Sequence, residues 1–346
     1  MVWDVDPVAG EVRRFRVGEA TIATRMRAAG YETALIGKWH LGWRPEYRPN
    51  QHGFDEFYGS LSGALDYFTH IAPDSGETTL PDLWENDRRV TTDGYLTDVF
   101  SDRAAEYVSR ARSKPFYLSL HYNAPHAPWE GSEDAAIGHT THGAGPMTEG
   151  GSLKIFGAMM RSMDAGIGRV LRALERATLD RQTLVIFTSD NGGERYSYNW
   201  PFSFQKGFLW EGGTRVPAMV RWPGVVPAGR VTEQAAITMD WTATILAATG
   251  TAADPAYPLD GESMMPICTG QRDTYDRSLF WRTSTREAAR VGALKYLKDS
   301  GNEGLFDLSI DPGEKTDLSS THADQFEQIK QQYRAWNAQV LPLPGA

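Results

Sequence analysis

A long amphipathic helix followed at once by a short apolar strand is the sequence feature that most limits how this chain can fold. Apolar residues recur at three- and four-residue spacing over residues 152–176, which predicts a helix with one buried face. Residues 183–188 form an apolar run typical of a parallel strand covered on both faces. The same order occurs earlier, where a helical pattern over 97–112 precedes the apolar run 116–120. Repeated units of this kind predict an α/β fold with a doubly wound sheet flanked by helices.

Polar residues follow the ends of these predicted strands. A first unit, with a helix over 19–29 and a strand over 33–36, leads to His40. His126 follows the strand at 116–120, and Asp190 and Asn191 follow the strand at 183–188. Ligands of open α/β sheets bind at the carboxyl ends of the strands, so we expect these groups to converge on one edge.

Composition excludes several classes of protein. The chain has 346 residues, enough for one large domain and a small companion, and no repeats are visible. Its net charge of −9 and the absence of a basic stripe argue against nucleic acid as a partner. No apolar run reaches the roughly 18 residues of a membrane span. The single cysteine, Cys268, excludes an internal disulfide.

The chain changes character near residue 273. Short β-type runs at 278–282, 293–297 and 304–308 precede an amphipathic C-terminal helix, which predicts a small α+β domain over 273–346 after a larger one over 1–272. The stretch 131–151 is rich in Gly, Ser, Thr and His without periodicity, as in loops that serve as lids or determine specificity.

Six residues carry the chemistry that the sequence suggests. Asp190 and Asn191 offer oxygen ligands for Ca²⁺ or Mg²⁺, although an Asp-Asn pair before two glycines is also ordinary turn chemistry. Lys38 and His40, two residues apart, can hold an anion and exchange a proton, or be a solvated lysine and a buried histidine. The other two are His126, on a loop stiffened by prolines, and Lys206, which by itself has the features of an exposed lysine.

Several motifs resemble those of one family. The segment Gly30-Tyr-Glu-Thr-Ala-Leu-Ile-Gly-Lys-Trp-His-Leu-Gly42 is similar, nearly residue for residue, to the second signature of the sulfatases. The resemblance continues, in the order of the family, to the C-terminus. Its further motifs are His52-Gly-Phe-Asp-Glu-Phe57, Ala124-Pro-His-Ala-Pro128, Ser189-Asp-Asn-Gly-Gly193, Lys206, Glu211-Gly-Gly-Thr-Arg-Val-Pro217 and Asp311-Pro-Gly-Glu314. Ser203-Phe-Gln205 departs from the Arg-Gly-Gly that often precedes this lysine.

The resemblance implies an alkaline-phosphatase-like mixed sheet flanked by helices, with a small C-terminal domain. It implies that Asp190 and Asn191 are two ligands of Ca²⁺, with Mg²⁺ as a possible substitute. Lys38 and Lys206 would bind sulfate oxygens, His126 would help protonate the leaving alcohol, and His40 would act as the base that later releases the sulfate.

The nucleophile of the family is missing from this sequence. In the family it is a cysteine or serine in Cys-x-Pro-x-Arg, converted to formylglycine, and an Asp-Asp pair before it completes the metal site. Neither precedes Gly30, and Cys268 has the wrong neighbours. We therefore expect an N-terminally truncated form that has no turnover by itself and is poorly soluble or partly disordered. A longer form would need a formylglycine-installing enzyme as a partner.

Two other functions remain open at this point. A phosphodiesterase or phosphonate monoester hydrolase could use the same scaffold, and a non-catalytic protein could use the lysines and histidines to bind anions. The substrate of a sulfatase could be a small-molecule or a carbohydrate sulfate ester, since loop tryptophans suit either. A longer form would be periplasmic or secreted, although residues 1–19 do not read as a signal peptide.

Overall fold

The computed structural model describes residues 20–72, 80–134, 150–340 and 342. Most of the predicted lid segment, residues 135–149, and the start of the chain lie outside this part. The chain forms two compact units, the first reaching to Gln182 and including Thr249–Tyr257, the second containing Thr183–Ala248 and Pro258 onward. The four-stranded sheet of the second unit begins at Ser278, inside the small domain that the sequence predicts over 273–346.

The first unit is built on a mixed five-stranded sheet. Strands β1 (Glu32–Lys38), β2 (Glu56–Ser60) and β5 (Phe116–His121) are parallel, with β1 between the other two. Strands β3 (Leu83–Glu85) and β4 (Arg88–Val90) extend the sheet antiparallel beyond β2, in the order β4-β3-β2-β1-β5. The carboxyl ends of the three parallel strands therefore lie at one edge, which agrees with the sequence prediction for β1 and β5.

A short helix covers the centre of this sheet. Helix α1 (Ile22–Ala28) begins at Thr21, whose Oγ1 accepts a hydrogen bond from Thr24 N at 3.0 Å. Its buried residues Ala23 and Met26 face the core. The core cluster of this part consists of Ala23, Leu35, Trp39, Phe54, Phe57 and Leu61. Burial of these side chains holds the strand that carries Lys38.

Two long helices pair in the first unit. Helix α2 (Leu96–Ser109) contacts helix α3 (Leu153–Arg176), which begins at Ser152, where Oγ accepts from Ile155 N at 3.2 Å. A Cβ at Gly166 would lie 2.0 Å from Ser101 Oγ, so any larger residue where the helices meet would displace this hydroxyl. The bounds of α3 agree with the sequence prediction to within one residue.

Strand β5 lies at the end of its sheet. It pairs with β1 over six residues, and no strand pairs with its other edge among the residues that the structure describes. Five of its six residues are partly exposed, and His121 is exposed, although the run is apolar enough for a central strand. The apolar side chains of β5 are therefore only partly covered by the described residues.

The second unit contains two separate sheets. Strand β6 (Val185–Thr188) pairs with β7 (Ala218–Arg221), and the pairing is antiparallel. The prediction of a parallel strand covered on both faces is wrong for β6, which is partly exposed throughout. The second sheet is antiparallel, in the order β11-β10-β9-β8, and helix α7 covers it. Its elements are β8 (Ser278–Arg282), β9 (Arg286–Val291), β10 (Leu294–Asp299), β11 (Asn302–Asp307) and α7 (Ala323–Asn337).

Shorter helices connect these elements. In the second unit they are α4 (Glu211–Thr214), α5 (Asp240–Thr249) and α6 (Met265–Cys268). Three 3₁₀ turns, Pro45–Tyr47, Pro49–His52 and Asp180–Gln182, lie in the first. Among the helices of the described residues, none is both long and apolar enough to cross a bilayer.

Candidate active site

Lys38 is the last residue of β1, where three strand ends are tightly packed. Gly37, which precedes it, has φ +115°, and a Cβ there would lie 1.9 Å from His121 O of β5. On the other side, a Cβ at Gly59 of β2 would lie 1.8 Å from Gly37 O. Two glycines thus let the backbones approach closely. The His121 ring lies across this junction, with Nδ1 3.0 Å from Lys38 O. The backbone of Lys38 is therefore fixed at the edge of the sheet.

His40 lies two residues beyond β1 and is partly buried. Its backbone has φ +56°, and its N–H donates to Leu61 O at 3.2 Å. Its ring lies directly over Gly63, where an added Cβ would be 2.5 Å from His40 Nε2. The left-handed backbone of a residue other than glycine is uncommon and is concentrated at functional sites. The imidazole of His40 therefore packs against the segment that follows β2.

Asp82 supports that segment and was not found by the sequence reasoning. Its buried carboxylate accepts from Ser62 N at 2.9 Å, from the Ser62 hydroxyl and from Trp84 Nε1 at 2.7 Å. Burial raises the pKa of the Asp82 carboxyl above its usual value. Because Ser62 precedes Gly63, this carboxyl positions the surface beneath His40. No motif around residue 82 signals such a role.

His126 lies on a loop after β5 and is partly buried. Its N–H donates to Asn123 O at 2.8 Å, and its Nδ1 lies 2.7 Å from Ala127 O. A carbonyl oxygen can only accept, so this contact favours the tautomer with hydrogen on Nδ1. Nε2 is then the nitrogen that exchanges a proton with a ligand.

Two buried tyrosines hold the loop of His126. Tyr67 donates from its hydroxyl to His126 O at 3.0 Å and from its backbone N–H to Glu130 Oε2 at 2.8 Å. Tyr95 donates to Glu130 O at 2.7 Å, and the two rings stack at 5.4 Å. Burial raises the pKa of both phenols, so they remain hydrogen-bond donors at neutral pH. The sequence reasoning missed Tyr67, Tyr95 and Glu130, because their contacts join segments far apart in the chain.

Asp190 and Asn191 follow β6 in the second unit. Asp190 is exposed, and its Oδ1 accepts from Asn191 N at 3.0 Å. Asn191 donates from Nδ2 to Gly192 O at 2.9 Å, which directs its amide nitrogen to the backbone and leaves Oδ1 as the ligand atom. These two oxygens are of the type that Ca²⁺ or Mg²⁺ binds.

The described residues do not complete a metal site. They contain no group of three or more His, Cys, Asp or Glu side chains that could hold an ion. Calcium takes about six to eight oxygen ligands, so Asp190 and Asn191 fit a hard cation in type but not in number. Metal binding therefore remains a prediction.

Lys206 is held close to Asn191 by the backbone. Lys206 N donates to Gly193 O at 3.0 Å, and Gly192 N donates to Gly213 O at 2.9 Å. The ammonium of Lys206 lies 3.4 Å from Glu194 Oε2, and both side chains are about one-third exposed. An arriving anion would compete with Glu194 for this ammonium.

A buried cation anchors the segment after Lys206. Lys295 of β10 lies 2.8 Å from both Glu211 Oε1 and Glu314 Oε1, and all three side chains are at most 5% exposed. Glu314 Oε2 also accepts from Glu211 N at 2.6 Å. Helix α4, which begins at Glu211, is thus fixed to the C-terminal sheet, and Gly212 N in turn donates to Ser203 O at 2.8 Å. We call Glu211, Lys295 and Glu314 the buried triad.

The six predicted residues fall into two sets. Lys38, His40 and His126 belong to the first unit, and the other three, Asp190, Asn191 and Lys206, belong to the second. His40, His126, Asp190 and Asn191 each come after the end of a strand, as the sequence predicts. Their convergence on one edge stays a prediction. Two cavities of about 450 and 420 Å³ are lined by other residues, including Arg25 and Thr251 in one and Arg277 and Val291 in the other.

Two protein-family models match this chain. The model described as Sulfatase covers residues 7–251. The model described as N-sulphoglucosamine sulphohydrolase, C-terminal, covers residues 198–339. Together they include all six candidate residues and the buried triad.

Individual relatives agree with these matches. N-acetylgalactosamine-6-sulfatase of Canis lupus familiaris is 31% identical over 333 residues, covering 89% of this chain and 60% of the relative. Arylsulfatase J of Mus musculus is 27% identical over 384 residues, covering 94% of this chain and 63% of the relative. The chain thus spans about 60% of the length of these curated relatives.

One solved structure is similar over nearly the whole chain. The crystal structure of Ps i-CgsB in complex with k-i-k-neocarrahexaose has a TM-score of 0.83 and 28% identity, covering 97% of this chain and 77% of that one. The similarity confirms the predicted fold class, a mixed sheet flanked by helices with a separate sheet-rich C-terminal region.

Proposed function

Because this chain belongs to the sulfatase family, we propose that the protein hydrolyses a sulfate monoester with help from a bound divalent cation. One observation carries the proposal: Lys38 ends β1, and His40 comes two residues later, at the edge where three parallel strands end. A lysine fixed by close-packed glycines and a histidine with a constrained backbone suit the binding of an anion and the transfer of a proton.

The charged side chains have separate roles in this proposal. The similarity to sulfatases implies that Lys38 and Lys206 bind non-bridging sulfate oxygens and stabilise the charge of the transition state. His126, when both of its ring nitrogens are protonated, donates the proton on Nε2 to the bridging oxygen, so that the alcohol leaves neutral. His40 is the base that accepts a proton when the sulfate is finally released. Asp190 and Asn191 would hold a Ca²⁺ or Mg²⁺ ion, which when bound adds positive charge beside the sulfate.

The described residues do not supply a nucleophile for this reaction. Cys268, the single cysteine, lies in helix α6, and burial raises the pKa of its thiol, which opposes formation of the thiolate. The similarity to sulfatases suggests a formylglycine on sequence that would precede this chain, made by a partner enzyme. We infer that the chain binds sulfate esters but has no turnover by itself.

Relatives suggest the class of substrate. One is named N-acetylgalactosamine-6-sulfatase, and the similar crystal structure contains an oligosaccharide, neocarrahexaose. We therefore propose a carbohydrate sulfate ester rather than a small-molecule ester.

The test is a hydrolysis assay of the protein with and without a segment that carries the formylglycine. The gene, expressed with any in-frame sequence before Met1 and with a formylglycine-installing enzyme, should release alcohol from 4-nitrophenyl sulfate faster than from 4-nitrophenyl phosphate. Lys206→Ala should reduce this rate by about 100-fold or more, as expected for loss of a charged transition-state contact. Lys298→Ala, which removes a partly exposed lysine paired with Glu287, is the control.

Two results would contradict the proposal. Faster hydrolysis of the phosphate ester would favour the related phosphorus chemistry. Sulfate release by the purified chain alone, above that of a Lys38→Ala and His126→Ala double variant, would show that the inference about the nucleophile is wrong.

A further inference from the structure

Two aromatic side chains of the second unit are strongly exposed. Tyr198 is 84% exposed and Trp200 is 71% exposed. Their ring centroids are 6.4 Å apart, and the ring planes differ by 32°. We call these two residues the aromatic platform. Large aromatic side chains are normally covered, so an adjacent exposed pair indicates a surface that binds something.

Neighbouring aromatic residues are packed against one another. Phe204 lies 4.8 Å from both Phe208 and Trp210, and Trp210 lies 5.6 Å from Phe306 of β11, measured between ring centroids. The segment therefore has an aromatic cluster next to the C-terminal sheet, and the platform is not part of it. From the sequence, filling of the core is the default for tryptophans, and this holds for Trp129 but is wrong for Trp200.

The platform is presented on a well-bonded loop. Asn199, between the two aromatic residues, donates from Nδ2 to Gly193 O at 3.0 Å and to Phe204 O at 3.1 Å. Its carbonyl accepts from Phe202 N at 2.8 Å. Rigid aromatic side chains on a fixed backbone provide contact area at a low cost in conformational entropy.

The same loop is tied to the lysine that is predicted to bind sulfate. Gly193 O accepts from Lys206 N at 3.0 Å as well as from Asn199 Nδ2. One carbonyl thus sets the backbone of Lys206 and the base of the platform together. The loop that carries the platform is therefore bonded, through Gly193, to the backbone of Lys206.

We propose that the aromatic platform binds a pyranose ring of a carbohydrate sulfate ester whose sulfate contacts Lys206. Tyrosine and tryptophan combine an apolar face with a polar O–H or N–H, which matches a sugar ring with apolar faces and hydroxyl edges. An open surface also suits an extended saccharide better than a small aryl ester, which is usually enclosed in a cleft. This inference rests on the proposed function.

Binding to the purified chain tests the inference. Titration with N-acetylgalactosamine 6-sulfate, 4-nitrophenyl sulfate and inorganic sulfate would give three dissociation constants, and oxidative footprinting with mass spectrometry would report protection of Tyr198 and Trp200. We expect the sugar sulfate alone to protect both rings. Trp200→Ala and Tyr198→Ala should each weaken sugar sulfate binding about five-fold, a typical effect of one aromatic contact, without changing binding of inorganic sulfate.

Matched variants separate the possible outcomes. Tyr257→Ala removes a tyrosine that is 47% exposed in the other unit and should have no effect, whereas Lys206→Ala should weaken all three ligands. The inference is overturned if sugar binding depends on Lys206 but not on the platform, or if the aryl ester loses affinity as much as the sugar. If no sulfate compound binds, or if Lys206→Ala changes none of the three constants, the proposed function itself fails for this chain.

Discussion

The C-terminal sheet and strand β5 are both rich in apolar residues, but they differ in how these residues are covered. In the C-terminal sheet each strand pairs with its neighbour in sequence, and Ala288, Ala289, Tyr296, Leu297 and Leu305 are at most 2% exposed. Strand β5 pairs with β1 alone among the described residues, and its apolar side chains remain partly exposed. An antiparallel sheet can thus be formed by strands that are neighbours in the sequence, whereas a parallel strand needs partners from segments that are distant in the chain.

The largest expected effect on the free energy of unfolding is in the C-terminal sheet. Lys295→Met removes the cation of the buried triad, so that Glu314 loses its buried cation and Glu211 keeps only Arg215, whose guanidinium lies 3.7 Å from Glu211 Oε2. The free energy of unfolding should fall by about 3–5 kcal/mol. Lys298→Ala on the same strand removes a partly exposed ion pair with Glu287 and should cost about 0–1 kcal/mol. Urea unfolding followed by circular dichroism measures both, and equal losses would contradict the role of the triad.

The next effect concerns the attachment of β5. Gly37→Ala should cost about 2–4 kcal/mol, because the new Cβ meets His121 O and the residue has a left-handed backbone. Gly30→Ala has φ +91° but open space around it, so about 1 kcal/mol is expected. Hydrogen exchange of peptides from β5 should accelerate in the Gly37 variant. Unchanged exchange there would mean that β5 does not depend on this close approach.

A smaller effect is expected on how stability depends on pH, and it distinguishes a buried carboxyl from an exposed one in the first unit. Burial raises the pKa of Asp82, so folding favours its protonated form. Its stabilising contribution is therefore complete below about pH 4, the unfolded value, and is lost as the pH rises through the folded pKa. Asp82→Asn should flatten this decline when urea midpoints are compared between pH 4 and pH 7, whereas Asp87→Asn, an exposed carboxyl, should follow the wild type. A decline of the same slope in Asp82→Asn would assign the pH dependence to other groups.

The smallest effect on stability is expected at the sheet edge of β7. Met219 is 59% exposed on this strand, which pairs with β6 alone among the described residues. Met219→Lys should change the unfolding free energy by less than about 0.5 kcal/mol but increase the soluble monomer, since charges on edge strands oppose association. Met160→Lys, on helix α3 and 37% exposed, should not improve solubility as much. Light scattering after size-exclusion chromatography gives the monomer fraction, and a fully monomeric wild type would contradict the predicted poor solubility.

The sequence predicts the parts of the fold that repeat a clear pattern. Helix α3 and strand β8 were predicted within a residue of their ends, because their periodicity or length is typical. Strands β3 and β4 were missed, since each has three residues and β4 begins with two arginines. The antiparallel pairing of β6 could not be read from an apolar run, which has the same composition in either direction.

The candidate site shows the same limit. Lys38 and His126 could be predicted to follow strand ends, because motif order and strand order are both linear properties of the chain. Asp82, Tyr67 and Glu130 could not, because they act through hydrogen bonds to residues 20 to 63 positions away. The role of these residues can be recognised only from the folded structure, which brings them next to their hydrogen-bond partners.

The carbonyl of Gly193, which accepts from both Lys206 and Asn199, has a consequence for selectivity between isomers. It fixes the backbone of Lys206 relative to the base of the aromatic platform, which limits the span that a ligand must bridge between the rings and the ammonium. On a sugar that carries the same sulfate on a different carbon, the ring and the charge would be separated by a different length. Under the proposed binding mode, such positional isomers would satisfy one contact or the other, and binding would depend on which ring carbon carries the ester.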